Sequence, residues 1–385
     1  MRKEWLIELF LFINKCIFEL FNLMPLKKKI VLLCDFGDNA RFVANELARR
    51  GEKGFIVLRT SKCKETFKGT GAKAILSFSP TNIMDYVRGL YHLATARTIL
   101  IDNYFPILSV TNFRPDVECI QLWHAAGAVK KFGMQDASVL FRSPAAVRRF
   151  RRVYNRMNRV VVGSDEMVPI FKSAFEMKDG QFLRLGIPRT DFFYDLDAME
   201  AAKIALFKEY PDMIGKRIIL YAPTFRDQQL NAQSIPIDFK DIINELGENY
   251  LLIIKLHPAV AQNVAAMNHP QIISVKNNVP INDLLCVADC VISDYSSIPF
   301  EYALLGKPQI FYPYDLEKYE MERGFWTNYE DLVPGPVVST DDELVYVLQN
   351  NVFDLERIQR FSASWNQFSD GHASSKLVDY LLARN

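Results

Sequence analysis

Four places where an apolar run ends in polar residues hold the side chains that could do chemistry. The first is Trp123-His124, inside IQLWHAAGAVKKFG. A neutral imidazole near pH 7 is the most available general base for taking a proton from a hydroxyl. Ala125, Ala126 and Gly127 would let a substrate approach the backbone, and Lys130 and Lys131 add positive charge. The second place, YAPTFR, offers Thr224 and Arg226, whose planar fork suits bidentate phosphate binding. The third, YLLIIKLHP, puts Lys255 in an otherwise buried run, which calls for a partner such as a phosphate or carboxylate, with His257 close by. The fourth, SDYSSIPFEY, carries Asp294, Ser296, Ser297 and Glu301 in a strand–turn–helix pattern. There Ser297 reads as N-cap, Pro299 fits the first turn and Gly306 follows the helix end. The free N–H groups of such a helix start form an anion site. Each motif alone also has a plain structural reading: a satisfied core histidine, a strand reaching solvent, an interdomain salt bridge at Arg226, a well-capped helix.

The elements around these motifs supply the missing argument. From Ile30, short β-branched runs alternate with amphipathic helical patterns up to Leu185, and a second such series runs from Arg217 to Tyr312. That alternation predicts parallel sheets covered on both faces. It divides the chain into a leading helix (1–26), a first domain (27–190) and a second domain (191–385) whose last helix packs back on the first. In doubly wound sheets ligands bind beyond the carboxyl ends of strands, where all four motifs fall. Two such domains with facing strand ends would enclose a central cleft.

Composition narrows the function classes. Half of the 385 residues are apolar (49%), enough for two cores, and 46 basic against 45 acidic residues give no signal for nucleic acid. The cysteines at 16, 34, 63, 119, 286 and 290 are scattered, and Cys286-x3-Cys290 is a poor zinc pattern, so reduced packing thiols in a cytoplasmic protein are expected. Asp195-Leu196-Asp197 follows no strand directly, so no metal is expected, and charge neutralisation falls to Arg, Lys, His and helix dipoles. No cofactor is implied.

Residues 1–24 are rich in Leu, Ile and Phe, with Glu4, Glu8, Lys15, Glu19 and Asn22 gathered on one arc of a helix. The charges exclude a spanning helix, and no cleavage site marks a signal peptide. An in-plane membrane helix is expected, with Lys27-Lys28-Lys29 and a basic helix carrying Arg148 and Arg152 towards anionic headgroups. The alternative is a helix packed on its own protein or on a second copy in a homo-oligomer.

WHAAGAVKKFG, YAPTFRD, KLHP, SDYSSIPFEYALLGKPQIFYPYDLEKYE and RGFW together resemble the CDP-glycerol glycerophosphotransferases of wall teichoic acid synthesis, in order and spacing from about Ile30 to Gly371. IDNYF with QLWHAAGAVKKFG is most similar to the branch that primes the linkage unit. The resemblance implies a two-domain GT-B fold, an acceptor-side first domain and a CDP-glycerol-binding second domain. It implies His124 as general base, His257 near the donor diphosphate, and Arg226, Ser296 and Ser297 on donor phosphates with Asp294 and Glu301 beside them. The implied acceptor is an undecaprenyl-diphosphate-linked disaccharide at the cytoplasmic face of a Gram-positive cell membrane. Ala125-Ala126 stands where that family often has Gly-Thr, which removes a hydroxyl from the acceptor side. The competing readings are a glycerol or ribitol phosphate polymerase, a GT-B glycosyltransferase using a nucleotide sugar, and a non-catalytic protein binding polyanions at a membrane surface.

Overall fold

The computed structural model describes residues 2–224, 237–255, 269–276 and 278–384. Its β-branched runs form two wholly parallel sheets. The first has seven strands: β1 (Lys27–Cys34), β2 (Ile56–Arg59), β3 (Ala74–Ser77), β4 (Ala96–Ile101), β5 (Glu118–Gln121), β6 (Arg159–Val162) and β7 (Phe182–Arg184). The second has five: β8 (Arg217–Tyr221), β9 (Tyr250–Ile254), β10 (Ile272–Ser274), β11 (Cys290–Ser293) and β12 (Gln309–Phe311). The strand orders, β3-β2-β1-β4-β5-β6-β7 and β10-β9-β8-β11-β12, share one plan. Winding reverses between β1 and β4 in one sheet and between β8 and β11 in the other, which is where doubly wound sheets open a crevice. The two Rossmann-like sheets expected from the alternation are present.

Two compact units follow. The first comprises Met1–Ala125, Phe132–Asp191 and Gln367–Asn385; the second comprises Ala126–Lys131 and Phe192–Asn366. The central strands of both units are buried along most of their length because helices cover both faces, while the edge strands β3, β7 and β10 are partly exposed. In the first unit the helix Ala373–Arg384 lies on α2 (Asp38–Arg49), and its Leu377, Val378 and Leu381 join Leu32, Val43 and Leu47 in the core. Asp191 holds the start of that helix by accepting the N–H groups of Ala373 and Ser374, each at 2.8 Å. Gly186 makes the return possible: its φ is 86°, and a Cβ there would sit 2.4 Å from the Phe368 carbonyl oxygen.

The leading helix α1 (Arg2–Asn22) divides its surface. Leu11, Asn14 and Phe18, three and four residues apart, are buried against the first unit. Asn14 accepts from the hydroxyl of Tyr86 on α3 (Ile83–Ala94), and Phe18 meets the edge of Phe113. Trp5, Leu9, Phe12, Ile13 and Leu20, between 40% and 65% exposed, face away. Part of the helix therefore packs on its own protein, and an apolar side is left over. Among the described residues no helix is long and apolar enough to cross a membrane.

The lysine run after α1 differs from its expected use. Lys27 and Lys28 are exposed, but Lys29 is buried, bonded to the Thr95 hydroxyl at 2.7 Å and beside His92 Nδ1 at 3.0 Å. Burial, with Lys27 next in effect, lowers the Lys29 ammonium to about 8. β1 is buried continuously from Lys29 onward, so the third lysine lies inside the fold, a depth that three consecutive lysines do not reveal.

Leu377→Ala should cost about 2–5 kcal/mol, the range for a buried leucine whose site cannot collapse. Thermal or urea unfolding of the full chain measures it; a loss below about 1 kcal/mol would show that the C-terminal helix is not part of the first unit's core.

Candidate active site

In the first unit the polar side chains gather at the carboxyl ends of β1, β4 and β5. Beyond β5 the chain does not continue extended: Trp123 has φ 60°, a conformation a bulky residue adopts only when its surroundings enforce it. They do so on several sides. The Trp123 N–H donates to Gln121 Oε1 at 2.9 Å, and its carbonyl accepts from Asn39 Nδ2 at 3.0 Å. Its indole packs on Phe132 (4.5 Å) and on the edges of Phe171 and Phe175 (5.4 and 5.6 Å). The turn leaves His124 half-buried at the strand end, with Nδ1 3.0 Å from the main-chain oxygen of Asp102.

Asp102 follows β4 across the switch point from β1. Its carboxylate, 1% exposed, accepts the N–H groups of Asp35 (2.8 Å), Phe36 (3.0 Å) and Gly37 (2.7 Å). Burial pushes its pKa up to about 6 despite those three bonds, which act the other way. Asp35 in turn accepts from the Thr60 hydroxyl (2.5 Å) and from Asn103 Nδ2 (2.8 Å). The Phe36 ring stacks on the His124 imidazole at 4.4 Å.

The second unit repeats the device. Asp294 follows β11 across the switch point from β8, is 1% exposed, and accepts the N–H of Thr224 at 2.7 Å and of Tyr295 at 2.6 Å. Tyr329 donates to the Asp294 carbonyl at 2.9 Å, and Tyr295, stacked on Tyr319 at 3.9 Å, donates to Asp315. The helix after the turn is shorter than expected: an α-helix over Ile298–Tyr302, a 3₁₀ turn over Ala303–Leu305, then Gly306 at φ 62°. Ser297 makes no side-chain cap bond; Ser296 Oγ accepts the N–H of Ile298 at 3.2 Å instead. Glu301 is buried in that short helix at 1% exposure.

Other expected site residues fall differently. Lys255, half-buried, donates from Nζ to the carbonyls of Lys276 and Val279, at 3.1 and 3.0 Å, so backbone oxygens meet the lysine here. Lys130 and Lys131 belong to the second unit: Lys130 bridges antiparallel to Phe325 and donates to the Tyr319 hydroxyl at 3.3 Å. Gly127 is small because Phe300 lies against it; a Cβ would come within 2.1 Å of that ring. The basic helix α4 (Pro144–Tyr154) splits its charges. Arg149 pairs with Glu8 at 2.5 Å and Arg151 with Glu176 at 3.0 Å, whereas Arg148 and Arg152 are exposed. Arg226 and His257 lie outside the described residues. Among the described residues no three His, Cys, Asp or Glu side chains gather as metal ligands would.

Sequence reasoning missed Asp102, Asp35 and Phe36. The available signal was a polar pair at two adjacent strand ends, DFGD after β1 and DNYF after β4.

The fold and these strand ends define a two-unit Rossmann-type protein with polar sites at both switch points. The profile of the CDP-glycerol:poly(glycerophosphate) glycerophosphotransferases matches residues 16–383, and the chain belongs to that family of transferases. Among relatives, a teichoic acid glycerol-phosphate primase of Bacillus spizizenii is 37% identical over 98% of both chains. Another of Bacillus subtilis is 34% identical over 92% of both. The solved structure of the wall teichoic acid polymerase TagF has the same fold, with a TM-score of 0.78, 22% identity, and coverage of 96% of this chain and 93% of that one. A UDP-GlcNAc 2-epimerase of Neisseria meningitidis shares it more distantly, at a TM-score of 0.58 and 12% identity over 93% of this chain and 100% of that one.

Proposed function

We propose that the protein transfers glycerol phosphate from CDP-glycerol to the terminal ManNAc of an undecaprenyl-diphosphate-linked ManNAc-GlcNAc disaccharide, releasing CMP. The observation that carries this is the match over 98% of both chains to a glycerol-phosphate primase. A poly(ribitol-phosphate) polymerase of Bacillus spizizenii is matched over only 58% of its own length.

The chemistry asks little of the protein beyond position and charge. A backbone carbonyl can only accept, so His124 carries its proton on Nδ1 and presents its basic lone pair at Nε2. In this reading Nε2 takes the proton of the acceptor hydroxyl while that oxygen attacks the β-phosphorus of CDP-glycerol. The bond from that phosphorus to the bridging oxygen breaks, and CMP leaves with the electron pair. Arg226 and His257 neutralise the departing phosphate, and the turn held by Asp294, with Ser296 and Ser297, receives the diphosphate. Lys255, held by two carbonyls, supports the edge of that site.

The acceptor's lipid stays in a bilayer, so the enzyme works at the cytoplasmic membrane face. The apolar side of α1 fits that surface, and Leu140 and Phe141, 84% and 89% exposed, add to it. They precede Ser143, whose hydroxyl bonds Glu4 of α1, and the exposed Arg142, Arg148 and Arg152 lie in the same stretch.

Purified protein given CDP-glycerol and a soluble disaccharide-lipid analogue should release CMP. Release only with an acceptor that already bears polyol phosphate would favour the polymerase reading. His124→Ala should cut turnover by about 10²–10⁴ with donor affinity within a few-fold, and retention of more than about a tenth of the rate would remove it as base. Arg226→Ala and His257→Ala should each weaken CDP-glycerol binding by about 1.5–3 kcal/mol in calorimetry. Unchanged affinity in both would place them away from the diphosphate.

For the membrane contact, removing α1 would also strip Leu11 and Phe18 from the core, so surface changes are the cleaner probe. Ile13→Asp with Leu20→Asp should release the protein from anionic vesicles and slow reaction on a full-length lipid acceptor, leaving a short-chain soluble acceptor unaffected. Equal loss on both acceptors would overturn the membrane role of this face.

A further inference from the structure

His124 is held by more than its own strand end, and the features that hold it meet in one neighbouring residue. The main-chain oxygen of Asp102 takes the Nδ1 proton, at 3.0 Å. The carboxylate of the same residue gathers three successive N–H groups, those of Asp35, Phe36 and Gly37. That turn carries Phe36, whose ring lies on the imidazole at 4.4 Å with an interplanar angle of 29°. Trp123 stacks on the imidazole too, at 4.1 Å and 30°. Two rings cannot occupy one face at that spacing, so the imidazole lies between them.

We propose that Asp102 and Phe36 together position His124: the Asp102 carbonyl fixes which ring nitrogen is basic, and its carboxylate fixes the turn that lays Phe36 on the ring. The proposal rests on His124 acting as the base. Neither residue needs to touch substrate. Phe36 is 43% exposed, and its ring stacks on the histidine. The local charges support a clamp rather than a second base. Asp102 is closed in by three N–H donors, while neighbouring Asp35 is occupied by Thr60 and Asn103, with Lys62 3.7 Å away. A carboxylate so engaged orients its partners; it has no open approach for a substrate proton.

A ring held by stacking needs an aromatic neighbour, whereas a merely space-filling position accepts any apolar side chain of similar size. Phe36→Tyr should therefore retain at least half the wild-type kcat. Phe36→Leu and Phe36→Ala should lower kcat by about 10–100-fold, the scale expected when a reacting group is misplaced by an ångström, with KM for CDP-glycerol unchanged. Asp102→Asn replaces one acceptor oxygen by an NH₂ among three N–H donors and should lower kcat at least as far. Near-UV circular dichroism of each variant checks that the chain is folded. ¹⁵N NMR of the histidines in the wild-type protein should show the Nδ1–H tautomer for His124, whatever the activity. A Phe36→Leu variant with wild-type kcat overturns the proposal, as does a rise in donor KM at constant kcat, which would place Phe36 on substrate. An Nε2–H tautomer at His124 overturns the role of the Asp102 carbonyl. A fully active His124→Ala variant sinks the base assignment instead, and the tautomer measurement still tests the positioning.

Discussion

A buried carboxylate at each switch point is the constraint on which both sites depend. Where a parallel sheet reverses its winding, the loops after neighbouring strands diverge to opposite faces, and their first N–H groups lose the ladder partners that strands provide. Asp102 answers this in one unit by accepting from residues 35 to 37, and Asp294 answers it in the other by accepting from Thr224 and Tyr295. Burying a carboxylate is costly, and the upward push on Asp102 shows the cost is only partly offset. Charge-assisted bonds to several donors make the arrangement tolerable, and they tie residues 35 to 37 to the end of β4 and Thr224 to the end of β11.

The strain at Trp123 belongs to the same economy of order. A left-handed backbone at a bulky residue costs on the order of 1–3 kcal/mol. Here the indole recovers it by packing on Phe132, Phe171 and Phe175 and by two backbone hydrogen bonds. The outcome is a histidine turned out of a strand whose other residues are buried. An extended Trp123 would carry the chain on in the direction of β5, and the imidazole would lose both its bond to Asp102 and its place between two rings.

Much of the fold was legible because it rests on local periodicity. Runs such as Ile30–Cys34 and Leu251–Leu256 read as strands, which the structure forms over Lys27–Cys34 and Tyr250–Ile254, and both sheets formed where strand and helix patterns alternate. The positions of His124 and Asp294 at strand ends followed from the same pattern. What was not legible depended on contacts between distant residues. Asp102 and Asp35 are 67 positions apart, and nothing in either short motif says that one will clamp the other. Lys29 looked like part of an exposed basic run, but β1 is buried from that residue onward. Lys130 and Lys131 lie in the first half of the chain yet pack with residues near 324, a loop excursion that no sequence period marks. Ser297 stands at the N-cap position as expected, but the side-chain bond at that turn comes from Ser296, since hydroxyl geometry is finer than sequence reading resolves.

The same division of labour explains α1. Its buried side is a specific interface, with Asn14 bonded to Tyr86 and Phe18 against Phe113, so the helix has one orientation on the first unit rather than swinging free. The outward apolar side is thereby fixed relative to the sheet that carries His124. A single weak membrane signal gives only marginal, reversible binding, and stable attachment takes two. On the membrane reading proposed above, exposed apolar residues on α1 and at Leu140–Phe141 would supply one, and Arg148 and Arg152 would supply the other at about 1 kcal/mol each near an anionic surface. The ion pair of Arg149 with Glu8 ties α4 to α1. With the proposed acceptor, whose hydroxyl would stand a fixed height above a bilayer, such a face would do more than a flexible anchor, because orientation would be settled at docking rather than searched for at each encounter.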